Sequence, residues 1–178
     1  MTDEAVMRQV QDGDVRRLAL LFDRHHAALY RFYVRMTGNR ELSEDLVQEV
    51  FWRMLRYRET YRNDAPLATW MYRIARNAYI DQARKRKHEV ELAEDWDVPA
   101  RPAESIEQRE EHALLRRALL ALPHDKREVL ILARYQELPY ERIAELLGCE
   151  AGTVKGRVHR AIRTLRETYL ELAGRKAS

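Results

Sequence analysis

The residues best equipped for chemistry lie toward the end of the chain. Over residues 151–166 stand Lys155, Arg157, Arg160, Arg163 and Arg166, with no acid among them. Thr153, Lys155, Gly156, Arg157, His159, Arg160 and Arg163 form the polar side of a helix whose other side carries Val154, Val158, Ala161, Ile162 and Leu165. Cationic groups so arranged suit phosphate oxygens and guanine edges in a DNA major groove. Gly156 costs about 1 kcal/mol in a helix interior, so it marks either close approach of DNA or plain tolerance. His159 reads as a groove contact or a bystander rather than a metal ligand, because no second His lies near it in sequence.

A second basic region precedes it. Residues 70–87 hold six cations (Arg73, Arg76, Arg84, Lys85, Arg86, Lys87) against one acid, Asp81. The segment before it, residues 57–66, is polar and aromatic. Rings to stack on bases and cations to follow phosphates are what single-stranded nucleic acid binding needs. Two plainer readings compete. Trp70 and Tyr72 at a helix start suit core packing, and a helix C-terminus attracts cations through its dipole.

A third cluster is acidic. Glu44, Asp45, Gln48, Glu49 and Trp52 share the face of a helix opposite Leu42, Leu46, Val47, Val50, Phe51, Met54 and Leu55. Such acids often simply face water. An exposed Trp beside them points instead to a protein-binding surface.

Catalytic patterns are missing from the sequence. His25 and His26 are adjacent and point to different helix faces, while His88, His112 and His124 are scattered without H-E-x-x-H spacing. There is no G-x-G-x-x-G, Walker loop or G-x-S-x-G motif. The one cysteine, Cys149, excludes an intramolecular disulfide and any site needing two thiolates, and fits a reducing cytoplasm. No enzyme, cofactor or metal is expected.

These clusters need helices to hold them. Of 178 residues, 34% are charged and 46% apolar, with only six Gly and five Pro, a balance that suits an all-α protein. No apolar run approaches the ~20 residues that span a bilayer, and the acids Asp3, Glu4, Asp12 and Asp14 do not suit a signal peptide. A soluble protein with no direct membrane insertion is expected.

Charge divides the chain. Residues 88–111 carry nine acids against Arg101 and Arg109, a net of −7 in a chain whose total is +3. Val98-Pro99-Ala100-Arg101-Pro102-Ala103 interrupts any helical periodicity there. We therefore expect two small helical domains, residues 1–87 and 111–178, joined by an acidic flexible linker over 88–110.

Within the first domain, Gly13 breaks a helix that Asp14 restarts, and Thr37-Gly38-Asn39 marks another boundary. A helix follows over about 67–87, with Asp64 as its cap and Met71, Ile74, Ala75 and Ala78 as its apolar face. In the second, helices are expected over about 104–122, 125–135, 141–147 and 151–172. The last two, separated by Gly148-Cys149-Glu150, read as a helix-turn-helix with Ile143, Ala144 and Leu147 packed on the longer helix.

Two passages together resemble the extracytoplasmic-function (ECF) class of bacterial RNA polymerase sigma factors, in the sigma-70 family. One is Asp45-Leu-Val-Gln-Glu-Val-Phe-Trp52 followed by Thr69-Trp-Met-Tyr-Arg-Ile-Ala-Arg-Asn-Ala-Tyr-Ile-Asp81; the other is Tyr140-Glu-Arg-Ile-Ala-Glu-Leu-Leu-Gly148 with Gly152-Thr-Val-Lys-Gly-Arg-Val-His-Arg-Ala161. The resemblance spans about residues 21–166. It implies sigma regions 2 and 4 on either side of the linker, and a cytoplasmic factor that directs promoter recognition, promoter opening and transcription initiation.

The resemblance also implies partners and roles. Asp45, Gln48, Glu49 and Trp52 would dock on the clamp helices of the largest core-polymerase subunit, with the flap as a further contact. Tyr61, Asn63, Asp64, Trp70, Arg73, Arg76, Asn77 and Arg84 would open the minus-ten element and hold a flipped single-stranded base. Thr153, Lys155, Gly156, Arg157, His159, Arg160 and Arg163 would read the minus-thirty-five duplex. An anti-sigma factor is the implied regulator. Gly156 departs from the small polar residue common in the family, and Tyr61-Arg62-Asn63-Asp64 lacks the glycine often found in that loop. The alternative is a stand-alone dimeric helix-turn-helix regulator on palindromic duplex DNA, which needs neither the acidic linker nor the second basic region.

Overall fold

Glycine sets the first boundaries of the fold. Gly13, Gly38 and Gly148 take φ of 106°, 68° and 63°, where a side chain is strained, and each sits where a helix stops. In a computed structural model, which describes residues 1–86 and 105–177, every regular element among them is helical. The helices are α1 (Asp3–Gln11), α2 (Leu18–Thr37), α3 (Arg40–Arg56), α4 (Leu67–Arg86), α5 (Ile106–Ala121), α6 (His124–Leu130), α7 (Tyr140–Leu147) and α8 (Ala151–Ala177). This is the expected all-α class.

The chain forms two compact units, one of Met1–Tyr33 with the residues that carry α3 and α4, the other of Val34–Asn39 with those that carry α5 to α8. Residues 106–110, assigned above to the linker, are the first turn of α5. Ser105 caps that helix reciprocally, its hydroxyl accepting from Gln108 N at 3.2 Å while its own N–H reaches Gln108 Oε1 at 3.0 Å. The acidic stretch over residues 88–104 lies outside the described residues.

In the first unit α3 packs on α4 and α1 lies against α4. The expected apolar stripes are buried except at Leu55, which is half-buried: Leu42, Leu46, Val47, Val50, Phe51 and Met54 on α3, and Met71, Ile74, Ala75 and Ala78 on α4. Tyr33 is wholly buried and donates its hydroxyl to the Ala75 carbonyl at 2.8 Å. That burial drives its pKa well up, so the phenol stays neutral and holds α2 to α4. Tyr72 is core as well, meeting Phe32 edge-on at 5.6 Å.

In the second unit α8 is the spine on which α5, α6 and α7 pack. Val154, Val158 and Ala161 of α8 and Ile143 and Ala144 of α7 are buried as the sequence suggests. Three positions differ. Leu146 rather than Leu147 is the buried leucine of α7, while on α8 Leu165 is half-buried and Ile162 stays 38% exposed. The last turn of the α6 segment widens into i→i+5 bonding over Ile131–Tyr135, closed by Gln136 N to Ile131 O at 3.0 Å.

Candidate polymerase and promoter interfaces

On the polar face of α3, Glu44, Asp45 and Gln48 are exposed and Trp52 is 52% exposed. The Arg56 guanidinium lies 5.0 Å from the Trp52 ring centre and 5.6 Å from that of Tyr57. This aromatic–cation cluster extends the surface named from sequence by two residues, and no local pattern marked them. Glu49 is already engaged, because Arg53 Nε donates to its carboxylate at 2.6 Å. Arg53 also reaches Asp81 of α4 at 2.7 Å, so the one acid of the basic helix is spent on an internal bridge. Asp45, Glu49, Arg53, Asp81, Gln82 and Lys85 line a groove between the two helices.

Between α3 and α4 the chain makes one 3-10 turn, Arg58–Thr60, then runs extended through Tyr61. Arg62, Asn63 and Asp64 are exposed at the tip. Tyr61 is placed differently from an open stacking platform. It is 5% exposed, its hydroxyl donates to the Ala65 carbonyl at 3.1 Å, and its ring lies 5.4 Å from that of half-buried Trp70. Burial raises its pKa first, with Glu4 and Asp64 adding to the effect. Trp70 Nε1 donates to Thr60 Oγ1 at 3.3 Å, which joins the ring to the loop.

The cap expected from Asp64 comes from elsewhere. The first N–H of α4, on Leu67, donates to Glu4 Oε1 of α1 at 3.2 Å. Gln11, also on α1, gives both amide hydrogens to the loop, to the Arg58 carbonyl at 2.8 Å and the Tyr61 carbonyl at 3.0 Å. Asp14, expected to cap the next helix, makes no capping bond and pairs with Arg17 instead.

Past the loop, Trp70, Arg73, Asn77 and Arg84 recur at helical spacing along one side of α4, where Arg73, Asn77 and Arg84 are exposed and Arg76 is half-buried. One face of α4 therefore offers a ring, an amide and guanidinium groups next to the exposed loop tip. Backbone phosphates and an unstacked base could be held there together.

In the second unit, Thr153, Lys155, Arg157, His159, Arg160 and Arg163 are all exposed on α8, while Val154, Val158 and Ala161 bury the opposite side. Gly148 closes α7 in the left-handed conformation, and the Cys149 N–H returns to the Ala144 carbonyl at 3.0 Å. A short helix, a tight left-handed stop and a long helix with a basic outer face are a DNA-reading arrangement. At Gly156 a Cβ would sit 3.3 Å from Arg160 Nη1. The bare backbone lets the Arg160 guanidinium lie close along the helix.

His25 bonds Asp3 at 2.7 Å and His26 stacks on Phe22 with ring centres 5.0 Å apart, so the adjacent pair is divided as expected. Among the described residues no cluster of His, Cys, Asp or Glu is arranged to hold a metal ion. No helix among them is long and apolar enough to cross a membrane.

Comparison with known proteins places both units. Residues 21–89 match sigma-70 region 2 and residues 112–165 match sigma-70 region 4. The chain is 30% identical over 181 residues to the ECF RNA polymerase sigma factor SigW of Bacillus subtilis (strain 168), covering 93% of this chain and 96% of that protein. It is 31% identical to the ECF RNA polymerase sigma-E factor of Haemophilus influenzae, over 90% of this chain and 92% of that one. Among solved structures, the sigma factor RpoE of Bartonella quintana, in complex with the anti-sigma factor NepR, superposes with a TM-score of 0.72 at 28% identity, covering 84% of this chain and 94% of that one. Two exposed basic surfaces on separate helical units, each matched in order to its own region, carry one conclusion: the chain belongs to the ECF class of sigma-70 RNA polymerase sigma factors.

Proposed function

We propose that the chain binds core RNA polymerase and directs it to a set of promoters, reading a minus-thirty-five duplex with α8 and opening a minus-ten element with the loop and α4. The observation that supports this most directly is the presence, in one chain and in this order, of region 2 and region 4. A stand-alone dimeric regulator has no use for region 2 and is not favoured.

Each surface has a physical role in this reading. Asp45, Gln48, Glu49 and Trp52, with Arg56 and Tyr57 beside them, meet the clamp helices of the largest polymerase subunit, where the Trp supplies buried area and the acids supply register. Asn63, Asp64, Trp70, Arg73, Arg76, Asn77 and Arg84 engage the opened strand. Extruding one base costs a few kcal/mol, which pocket hydrogen bonds and stacking must offset. Tyr61 serves from beneath, as the packed floor against which Trp70 rests. Lys155, Gly156, His159 and Arg160 face bases, while Thr153, Arg157 and Arg163 hold phosphates.

The protein contributes no catalytic group, since bond formation belongs to the polymerase. It works in the cytoplasm. An anti-sigma factor regulates it by covering one of these surfaces, a reading that rests on the complexed relative described above.

Run-off transcription with core polymerase on a genomic promoter library tests the proposal. Specific transcripts should appear only with the protein added, and both Asn77→Ala and Arg160→Ala should weaken them. Tight duplex binding by the protein alone, with no transcripts in the presence of cognate core enzyme, would instead identify a free-standing regulator.

A further inference from the structure

Helix α1 precedes the first residue matched to sigma-70 region 2 and carries none of the interface residues described above. It is nevertheless fixed in place. Val6, Met7 and Val10 are completely buried, and the Thr2 hydroxyl caps the helix through the Ala5 N–H at 3.2 Å. A helix so anchored is a rigid base from which its polar side chains can act.

Two of those side chains hold the loop at its two ends. Gln11 Nε2 donates to the Arg58 and Tyr61 carbonyls at 2.8 and 3.0 Å, spanning the 3-10 turn by which the chain enters the loop. Glu4 Oε1 accepts from Leu67 N at 3.2 Å, where the chain leaves it for α4. Between these tethers the exposed tip is Arg62, Asn63 and Asp64. The amide of Gln11 uses both of its hydrogens on the loop backbone, and hydrogen bonds from its own backbone and then from Leu67 N–H hold the Glu4 carboxyl below its ordinary pKa.

We infer that α1 is a positioning element for base capture: Gln11 and Glu4 set the shape of the loop over residues 57–66 before DNA arrives, without touching DNA themselves. The inference rests on the reading of that loop as the minus-ten element's base-capture segment. A loop ordered in advance loses less conformational freedom on closing around an extruded base, so the tethers favour promoter opening in particular. They have no bearing on duplex recognition by α8 or on the polar face of α3.

The test uses the full chain in complex with core polymerase, on a promoter that the wild-type holoenzyme opens, with 2-aminopurine in the non-template minus-ten strand. Gln11→Glu keeps the shape of the side chain and loses both donors; Gln11→Lys keeps a donor; Glu4→Ala removes the second tether independently. We expect Gln11→Glu and Glu4→Ala to slow the fluorescence rise of opening about 5- to 20-fold, with substantial recovery in Gln11→Lys. Core affinity and closed-complex formation should stay unchanged, which a general loss of folding would not allow. Hydrogen exchange at residues 58–67 of the free chain should quicken in the same two variants.

Asn63→Ala is the reference for the underlying reading. If Asn63→Ala slows opening while Gln11→Glu and Glu4→Ala open at the wild-type rate, α1 has no positioning role and base capture stands. If neither the loop variant nor the tether variants alter opening, the loop does not capture a base and the inference falls with that reading.

Discussion

Arg53 Nη1 donates to the Asp81 carboxylate at 2.7 Å, tying α3 to α4 across 28 positions of sequence. The same guanidinium holds Glu49 through Nε at 2.6 Å. Its side chain is only 18% exposed, against 40% and 44% for the two acids, so this is a half-buried cation between two carboxylates that reach water. Desolvation pulls its pKa down, and the bonds to Glu49 and Asp81 more than offset this, leaving the pKa raised. Arg53→Met should cost about 1–2 kcal/mol, more than an exposed pair would. Thermal melting should fall by roughly 5–10 °C, and Arg53→Lys by less. Melting unchanged in Arg53→Met would mean that apolar packing alone sets the angle between α3 and α4.

Gly148 has φ of 63° and nothing within 4 Å of where its Cβ would be. The strain of a substitution there is therefore conformational rather than steric. Gly148→Ala should destabilise the second unit by about 1 kcal/mol and weaken minus-thirty-five binding with it, while Gly148→Asn, whose side chain tolerates the left-handed region, should cost less. Denaturant titration of both variants checks the order. A loss in Gly148→Asn as large as that in Gly148→Ala would show that tolerance of the left-handed region does not set the cost of a substitution in the turn.

Gly156 should separate stability from recognition. Alanine there favours the helix by about 1 kcal/mol, and its methyl would press on Arg160 Nη1 at 3.3 Å, the mobile end of a long side chain. Gly156→Ala is therefore expected to raise the melting temperature while lowering affinity for a minus-thirty-five duplex about two- to tenfold. Calorimetry and fluorescence anisotropy on one preparation decide it. A more stable variant with unaltered affinity would mean that Arg160 reads DNA from another rotamer.

What could be read in the sequence was local. Gly38 and Gly148 mark helix ends because a backbone angle demands them, and the stripe from Leu42 to Met54 marks a buried face because 3.6-residue periodicity demands it. Periodicity does not choose between adjacent leucines, so it points to Leu147 as readily as to Leu146, the one that is buried. Tyr61 is legible as an aromatic in the loop but not as a buried one, since only the fold brings the Trp70 ring to 5.4 Å from it. The tethers of α1 were invisible for a related reason. Gln11 and Tyr61 are 50 positions apart and Glu4 and Leu67 are 63 apart, and neither Gln nor Glu carries a local sign of a distant backbone partner.

Acid should loosen the packing of α1 before it unfolds the rest. Asp3 accepts from Arg24 Nη1 and His25 Nε2, each at 2.7 Å. Burial alone would raise its pKa, but the bonds from Arg24 and His25 outweigh it and hold the carboxyl below its ordinary range. Glu4 is likewise lowered, chiefly by bonds from its own backbone and from Leu67 N–H. A carboxylate whose pKa is depressed on folding contributes stability above its unfolded pKa, and that contribution is lost as the pH falls through the folded one. The loss should therefore begin near pH about 4 and continue below it, with none of it present at neutral pH. Melting temperatures measured from pH 7 to 3 should fall less steeply below pH 5 in Asp3→Asn and Glu4→Gln than in the wild type, from a lower starting value at neutral pH. Parallel curves for all three proteins would show that the acid response belongs to other carboxylates and that the hydrogen bonds of α1 carry no net linkage.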